Sequence, residues 1–372
     1  SDNKLFLLDA YALIYRAYYA FIKNPRINSK GFNTSAILGF VNTLEEVLKK
    51  ENPTHIGVAF DPAGPTFRHE AFEQYKAQRE ETPEAIRLSV PIIKEIIRAY
   101  RIPILEVAGY EADDVIGTLA TEAGRQGIIT YMMTPDKDYG QLVSDKVFMY
   151  RPKHTGGFEV MGVDEVKAKF DIQSPAQVID MLGLMGDSSD NIPGCPGVGE
   201  KTAQKLIAEF GSIENLLEHT DQLKGALKTK VETNREMITF SKFLATIKID
   251  VPIQLDMDSL VREQADEDSL RQIFEELEFR TLIDRVLKKE NAGNGITTPT
   301  GNKTAAEKSN LAPLPLFPEE GGAVQGDLFA NFTGNEPGEA KNSNLATLET
   351  LNCDYQLIDT EEKRTKIIQK LL

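Results

Sequence analysis

Lys4-Leu5-Phe6-Leu7-Leu8-Asp9 is an apolar run that stops on a carboxylate, and the pattern recurs. Ile56-Gly57-Val58-Ala59-Phe60 runs straight into Asp61, and residues 128–134 lead into Pro135-Asp136-Lys137-Asp138. Short apolar runs separated by amphipathic stretches read as strands of βα units, and in a parallel sheet the ends of such strands converge on one rim. Asp9, Asp61, Glu111, Asp113, Asp114, Asp136, Asp138, Asp187 and Asp190 all fall where strands stop or helices begin. So many carboxylates on one rim repel one another and need cations to be stable. Hard oxygen ligands select Mg²⁺ or Mn²⁺, and two such ions a few ångströms apart suit in-line attack on a phosphodiester.

The chain of 372 residues is long enough for two or more domains, and its 41% hydrophobic content supports ordinary globular cores. A net charge of −15 argues against a membrane surface or a purely electrostatic nucleic-acid binder. It is compatible with a phosphate substrate, because bound metal ions invert the local field. Cys195 and Cys353 stand alone, without disulfide or zinc spacing, which fits a reducing compartment. With no apolar run long enough to span a bilayer and no basic-then-apolar leader, the expectation is a cytoplasmic protein without membrane contact. His55, His69, His154 and His219 are scattered and give no support to a Ser or Cys triad.

Along the chain, residues 1–160 alternate strand candidates (5–8, 56–60, 128–133, 147–150) with amphipathic stretches (36–50, 84–101, 113–126). That is an α/β pattern, most simply a mostly parallel sheet flanked by helices. Residues 161–290 turn helical, with candidates at 174–184, 201–210, 213–219 and 268–288. Residues 291–353 are rich in Gly, Asn, Pro, Thr and Ala and read as a linker. Residues 354–372 read as the start of a further domain, too small for a core of its own.

Each acidic group has a plainer reading. Acids at a helix start cap it, yet Glu111-Ala112-Asp113-Asp114 carries more acids than capping needs. Asp136 and Asp138 would mark a solvated turn, or else face one cavity from an extended strand end. Asp187 and Asp190, spaced i and i+3, would point the same way from one helical turn, or else belong to an Asx-rich loop. Pro193-Gly194-Cys195-Pro196-Gly197-Val198-Gly199-Glu200-Lys201-Thr202 has P-loop glycine spacing, but Glu200 replaces the required Lys and no strand precedes it. What remains is a glycine hairpin between helices whose N–H groups, with Lys201 and Lys205, can hold a backbone phosphate. On a helix over 67–79, Arg68, Phe72, Lys76 and Arg79 would share one side, a strand-gripping stripe if it is more than a solvated face. Arg16 lies about two helical turns beyond Asp9, within reach of a phosphate, and Tyr11, Tyr15, Tyr18 and Tyr19 repeat at core-packing spacing. In the linker, Gln325, Leu328 and Phe329 have the arrangement of a short sliding-clamp docking peptide.

Taken in order over residues 1–290, these stretches resemble a known family. They are Leu7-Leu8-Asp9 through Arg16, Phe60-Asp61 with Phe67-Arg68-His69-Glu70 and Tyr75-Lys76, and Gly109-Tyr110-Glu111-Ala112-Asp113-Asp114. Thr134-Pro135-Asp136-Lys137-Asp138 with Gln141-Leu142, Gly186-Asp187-Ser188-Ser189-Asp190-Asn191-Ile192-Pro193-Gly194 and Gly197-Val198-Gly199-Glu200-Lys201-Thr202-Ala203 complete the set. Together they resemble the 5′-nuclease domains of bacterial DNA polymerase I, relatives of the flap endonucleases. The resemblance implies a PIN-like α/β core with a helical arch near 67–100, a helix-hairpin-helix-type element in 161–290, and a truncated 3′-5′ exonuclease-like domain from 354. It implies a structure-specific 5′-3′ exonuclease and 5′-flap endonuclease of DNA replication and repair, monomeric, acting on flaps, nicks and RNA primers with two or more Mg²⁺ ions. By position the nine acids look like metal ligands, and Arg16, Arg68, Lys76 and Arg79 like scissile-phosphate and arch residues. Gly197, Gly199, Lys201, Thr202 and Lys205 look like the duplex-holding element, with a K⁺ ion. Tyr139 departs from the family's usual smaller aliphatic residue. The alternatives are a non-catalytic DNA fork-binding module, which would not turn over substrate, and a PIN-like RNA nuclease, which would not need the hairpin.

Overall fold

The computed structural model describes residues 3–153 and 156–287. The linker with Gln325, Leu328 and Phe329, and the segment from 354, lie outside the described residues.

Six strands form one sheet: β1 (Lys4–Asp9), β2 (His55–Ala59), β3 (Ile104–Leu105), β4 (Ile129–Met133), β5 (Val147–Pro152) and β6 (Phe158–Met161). Their order is β3-β2-β1-β4-β5-β6. The first five pair in parallel, and β6 adds an antiparallel edge. In β1, Leu5 and Leu7 face one apolar cluster while Phe6 and Leu8 face the other, so both faces of the sheet are covered. This is why the strand sequences are apolar throughout instead of alternating. The sequence reading missed β3 and β6, which are short edge strands with half-exposed patterns.

The first cluster is closed by α5 (Ala112–Arg125) and by helices from the second half: α6 (Val163–Phe170), α7 (Gln177–Met185), α8 (Glu200–Phe210), α9 (Ile213–Glu218), α10 (Gly225–Thr233) and α11 (Arg235–Ala245). The second is closed by α1 (Ala10–Ala20), α2 (Ser35–Lys50), α4 (Glu84–Ala99), α12 (Glu267–Glu276) and α13 (Arg280–Leu287), while α3 (Phe67–Ala71) is one short turn.

Three expectations need correction. The helix anticipated over 268–288 is two helices, because Glu278 takes φ +64 between α12 and α13. The region 161–290 is not wholly a separate helical part: the Ile56 N–H donates to the Leu260 oxygen at 2.9 Å and the Arg262 N–H to the Thr54 oxygen at 2.9 Å, returning the chain to the sheet. The arch expected over 67–100 contracts, because Ile86, Ile93, Ile96 and Ile97 bury α4 in the second core.

Gly39 in α2 sits against α1, where an added Cβ would lie 2.6 Å from the Ala17 Cβ and 3.2 Å from its Cα. Neither atom can swing aside. Gly39→Val should therefore cost about 2 kcal/mol through overpacking, read as a lower midpoint in urea unfolding.

Candidate metal centre

Because β1, β2 and β4 run in parallel, Asp9, Asp61 and Asp136 leave the sheet on one rim, and the start of α5 adds Glu111 and Asp113 beside them. Asp9 caps α1, accepting from the Ala12 N–H at 3.2 Å, and its other oxygen accepts from the Tyr139 hydroxyl at 2.9 Å. Asp61 accepts from the Ala112 N–H at 2.7 Å, tying the end of β2 to the start of α5. Asp136 accepts from the Asp138 N–H at 2.9 Å.

Asp9 is buried, Asp61, Asp113 and Asp138 are half-buried and Asp136 stands at the exposed lip, and desolvation without a cation disfavours the charged form. The Asp9 carboxyl is pushed up to about 7 by desolvation and then by Asp61. Desolvation also raises Asp61. It raises Asp113, reinforced by Asp114, and Asp136. Asp138 rises through desolvation, then Asp136 and Asp187. Asp113 Oδ1 and Asp138 Oδ1 are buried with no hydrogen-bond partner. Such orphaned carboxylate oxygens are costly unless something positive meets them. The donors are all carboxylate oxygens, which fits a hard divalent cation and not zinc-type sulfur or imidazole coordination.

Three acids are already paired by the chain. Desolvation would raise Glu111, but Lys76 and Arg68 outweigh it and hold the carboxyl below its usual range. Asp190 is likewise held low against desolvation by Lys76 and Arg79. Asp187 pairs with Lys137 at 3.6 Å and caps the Ser189 N–H at 2.7 Å. The turn carrying Asp187 and Asp190 is closed by a bridge from Asp187 to Ile192, so it is the loop alternative and not a helical turn, and both acids still face Asp136 and Asp138.

The assignment of Asp114 as a ligand is corrected. Glu111, Asp113 and Asp114 do bring oxygen atoms within 4.8 Å of one another. Yet Asp114 accepts from Arg68 Nη1 and Nη2 and from the Lys248 N–H, each at 2.8 Å, and from the Glu111 N–H at 3.1 Å. Four bonds use up what a carboxylate can accept. Asp114 is a structural strut, the plain capping role extended to a buried arginine.

The stripe on residues 67–79 is also corrected. The helix ends at Ala71, and Arg68 is 1% exposed. Its guanidinium is spent on Glu111, Asp114 and the carbonyls of Leu244 and Thr246, so Arg68 positions acids and does not grip a strand. Beyond it, residues 72–83 cross the acid rim as a coil. The Lys76 N–H donates to the Asp190 oxygen at 3.0 Å, and Arg79 Nε to the Ser189 oxygen at 3.1 Å. Lys76 takes φ +56, a strained backbone for a side-chain-bearing residue, while its ammonium meets Glu111. Arg16, with its pKa lowered to about 10 by desolvation, donates to the Lys153 oxygen at 2.8 Å.

Sequence reasoning missed the donors that organise these acids. The buried Tyr75 hydroxyl donates to Glu111 at 2.9 Å and reaches Asp190 at 3.1 Å. Tyr139, noted only as a departure, is fully enclosed on Asp9. For Tyr139 the cue was an aromatic directly after Asp138; Tyr75 offered only its place beside Lys76. The four tyrosines of α1 are half-buried, with Tyr11, Tyr15 and Tyr18 packed on the second core.

The glycine hairpin joins α7 to α8. Gly194 has φ +62, and an added Cβ there would lie 2.3 Å from the Gly186 nitrogen, so only glycine closes this turn. Gly197, Gly199, Lys201 and Lys205 are exposed, and Thr202 is half-buried on the first turn of α8.

Known families match this chain in two adjoining stretches. Residues 4–171 match the model of the 5′-3′ exonuclease N-terminal resolvase-like domain, and residues 173–268 match the 5′-3′ exonuclease C-terminal SAM fold. The chain belongs to the 5′-3′ exonuclease family. It is 42% identical over 287 residues to DNA polymerase I of Bacillus caldotenax, covering 76% of this chain and 32% of that one. For DNA polymerase I of Bacillus subtilis the identity is 43% over 287 residues, covering 76% and 32%. The chain thus spans about a third of the length of the curated relatives it matches. Among solved structures, T5 5′-exonuclease with bound zinc ions superimposes with a TM-score of 0.57 at 20% identity, covering 74% of this chain and 99% of that one. The catalytic core of Rad2 in complex with DNA gives 0.52 at 18% identity, covering 77% and 93%. These likenesses bear out the fold, a mostly parallel PIN-like sheet flanked by helices with a helical second part. The family is one of metal-dependent nucleases.

Two measurements probe the site. Arg68→Ala leaves the buried Asp114 without its counter-ion and Glu111 with Lys76 alone, and should destabilise the fold by about 3–5 kcal/mol. Arg68→Lys should rescue little in chemical denaturation, because one ammonium cannot replace the forked donor set. The second is thermal. The unpaired acids have raised pKa values, so the metal-free fold holds them comfortably below pH 3.8 and loses stability as pH rises toward about 7, the value of Asp9. The rise in Tm on adding Mg²⁺ should therefore be larger at pH 8 than at pH 5.5.

Proposed function

We propose that this chain hydrolyses DNA phosphodiester bonds at 5′ flaps, nicks and RNA primers, as a structure-specific 5′-3′ exonuclease and flap endonuclease using two or more Mg²⁺ ions, with Mn²⁺ able to substitute. The observation that carries this reading is the pair of orphaned oxygens, Asp113 Oδ1 and Asp138 Oδ1, on a rim that also carries the buried Asp9 and the half-buried Asp61. When bound, the ions supply a nucleophile active at neutral pH and offset charge on the leaving oxygen.

The chain's own groups do the rest. Asp9, Asp61, Glu111, Asp113, Asp136, Asp138 and Asp187 offer oxygen ligands, with Asp190 beside them, and Tyr139, Tyr75 and Arg68 fix their orientation. Lys76 and Arg79, now paired with Glu111 and Asp190, lie where a scissile phosphate would compete for them. Once recruited, they offset transition-state charge as preorganised donors, with Arg16 as a further phosphate contact. No histidine or nucleophile triad enters, so hydrolysis proceeds without a covalent intermediate. Gly197, Gly199, Lys201, Thr202 and Lys205 hold the duplex backbone through N–H groups and ammonium groups, with K⁺ as a further ligand of that loop.

In this reading the chain corresponds to the nuclease third of a DNA polymerase I, acts as a monomer in the cytoplasm, and reaches a sliding clamp through Gln325, Leu328 and Phe329. A non-catalytic fork binder would have no use for orphaned acids, and a PIN-like RNA nuclease would have no use for the hairpin.

A gel assay on a 5′-labelled flap duplex and on single-stranded RNA decides among these. The flap should be cut near its base with Mg²⁺ and not with EDTA. Asp136→Asn/Asp138→Asn should lower that rate on the order of a thousandfold, the several kcal/mol that ion-based charge stabilisation supplies. Binding without cutting, or cutting of RNA alone, would overturn the reading.

A further inference from the structure

At the foot of the 72–83 crossing the surface is unusually aromatic. Phe67 meets Phe243 edge to face at 6.0 Å, Phe72 meets Phe240 at 5.5 Å, and Phe240 and Phe243 lie nearly parallel, 18° apart at 6.0 Å. Phe67 and Phe72 thereby pin the two ends of α3 to α11. Pinning does not use up the surface: Phe243 and Met237 each remain 40% exposed. Beside them runs an open groove of ≈ 450 Å³ lined by Leu217, Arg235, Glu236, Thr239, Phe240 and Phe243. Exposed aromatic area that packing does not require marks an interaction surface.

We propose that Phe240 and Phe243 form a stacking shelf for unpaired nucleobases of the 5′ strand, an inference that rests on the nuclease reading. Three features favour single-stranded nucleic acid over a protein. First, the shelf adjoins the chemistry: Phe67 touches Phe243, and the next residue, Arg68, holds Glu111 and Asp114. Second, cations flank it. Lys248 Nζ stands 5.6 Å from the centre of the Phe67 ring and 3.8 Å from Asp250, and Arg235, which donates to the Leu217 oxygen, lines the groove beside Glu236. Flat rings edged by cations suit a backbone carrying bases. Third, stacking ignores base identity, which suits a site that must accept any sequence. Paired bases keep their faces inside the duplex, so only an unpaired strand can use the shelf. It would therefore favour flapped over flush ends.

The test places 2-aminopurine in the flap nucleotides adjoining the junction and follows its fluorescence as this chain binds in EDTA. Quenching is expected with the unsubstituted chain. Phe243→Ala should abolish it and lower the ratio of flapped to flush-duplex affinity about tenfold, the scale of one base stacked on an aromatic ring. Phe243→Tyr should restore both readouts, and Leu88→Ala, an exposed change on α4, should alter neither. Flap binding and Mg²⁺-dependent cutting with no quenching would overturn the shelf and leave the nuclease reading intact. So would quenching that Phe243→Ala does not change, the result expected if the patch serves a protein partner. No binding and no cutting of flaps would overturn both.

Discussion

One guanidinium holds the site together. Arg68, enclosed on every side, joins α3 to the first turn of α5 through Glu111 and Asp114 and to the end of α11 through two carbonyl oxygens. Those three stretches are far apart in sequence; α5 carries part of the acid rim, and α3 leads directly into the coil that covers it. A buried charge of this kind is stable only when every donor is matched. The matching fixes where Glu111 and Asp113 stand. The neighbouring acids have no such counter-ion, and their raised pKa values are the cost left standing for an ion to remove.

The rim is divided electrostatically. On one side Asp9, Asp113, Asp136 and Asp138 are raised by desolvation, while Asp61 stands between, raised by desolvation and partly offset by Lys76 and Arg79. On the other, Glu111, Asp187 and Asp190 are held by Lys76, Lys137 and Arg79 from the chain itself. The covering coil is therefore bound to the site by the same charges that a substrate phosphate and its ions would contest.

The sheet and its carboxylates were legible because period and punctuation are local properties. An apolar run ending on Asp9 or Asp61 needs no tertiary knowledge to place. Asp114 and Arg68 misled because their types suit both ligation and bracing, and only their saturated hydrogen bonding tells the two apart. The stripe on 67–79 assumed a helix that stops at Ala71, where the pull of Asp190 and Ser189 on Lys76 and Arg79 outweighs helix propensity. Tyr75 and Tyr139 went unread because a hydroxyl's partner lies across the fold. The return of the chain near Leu260 left no trace in periodicity, since it depends on two backbone bonds to the lip of β2.

That return has a geometric consequence. Lys49, at the end of α2 and hence near the starts of the strands, donates from Nζ to the Arg285 oxygen at 3.3 Å, and Leu287 shares a cavity with Pro53 and Thr54 just before β2. The last described helix thus finishes at the pole of the sheet opposite the acids. The helix α13 therefore braces the starts of the strands and leaves the acid rim at the far pole clear of itself.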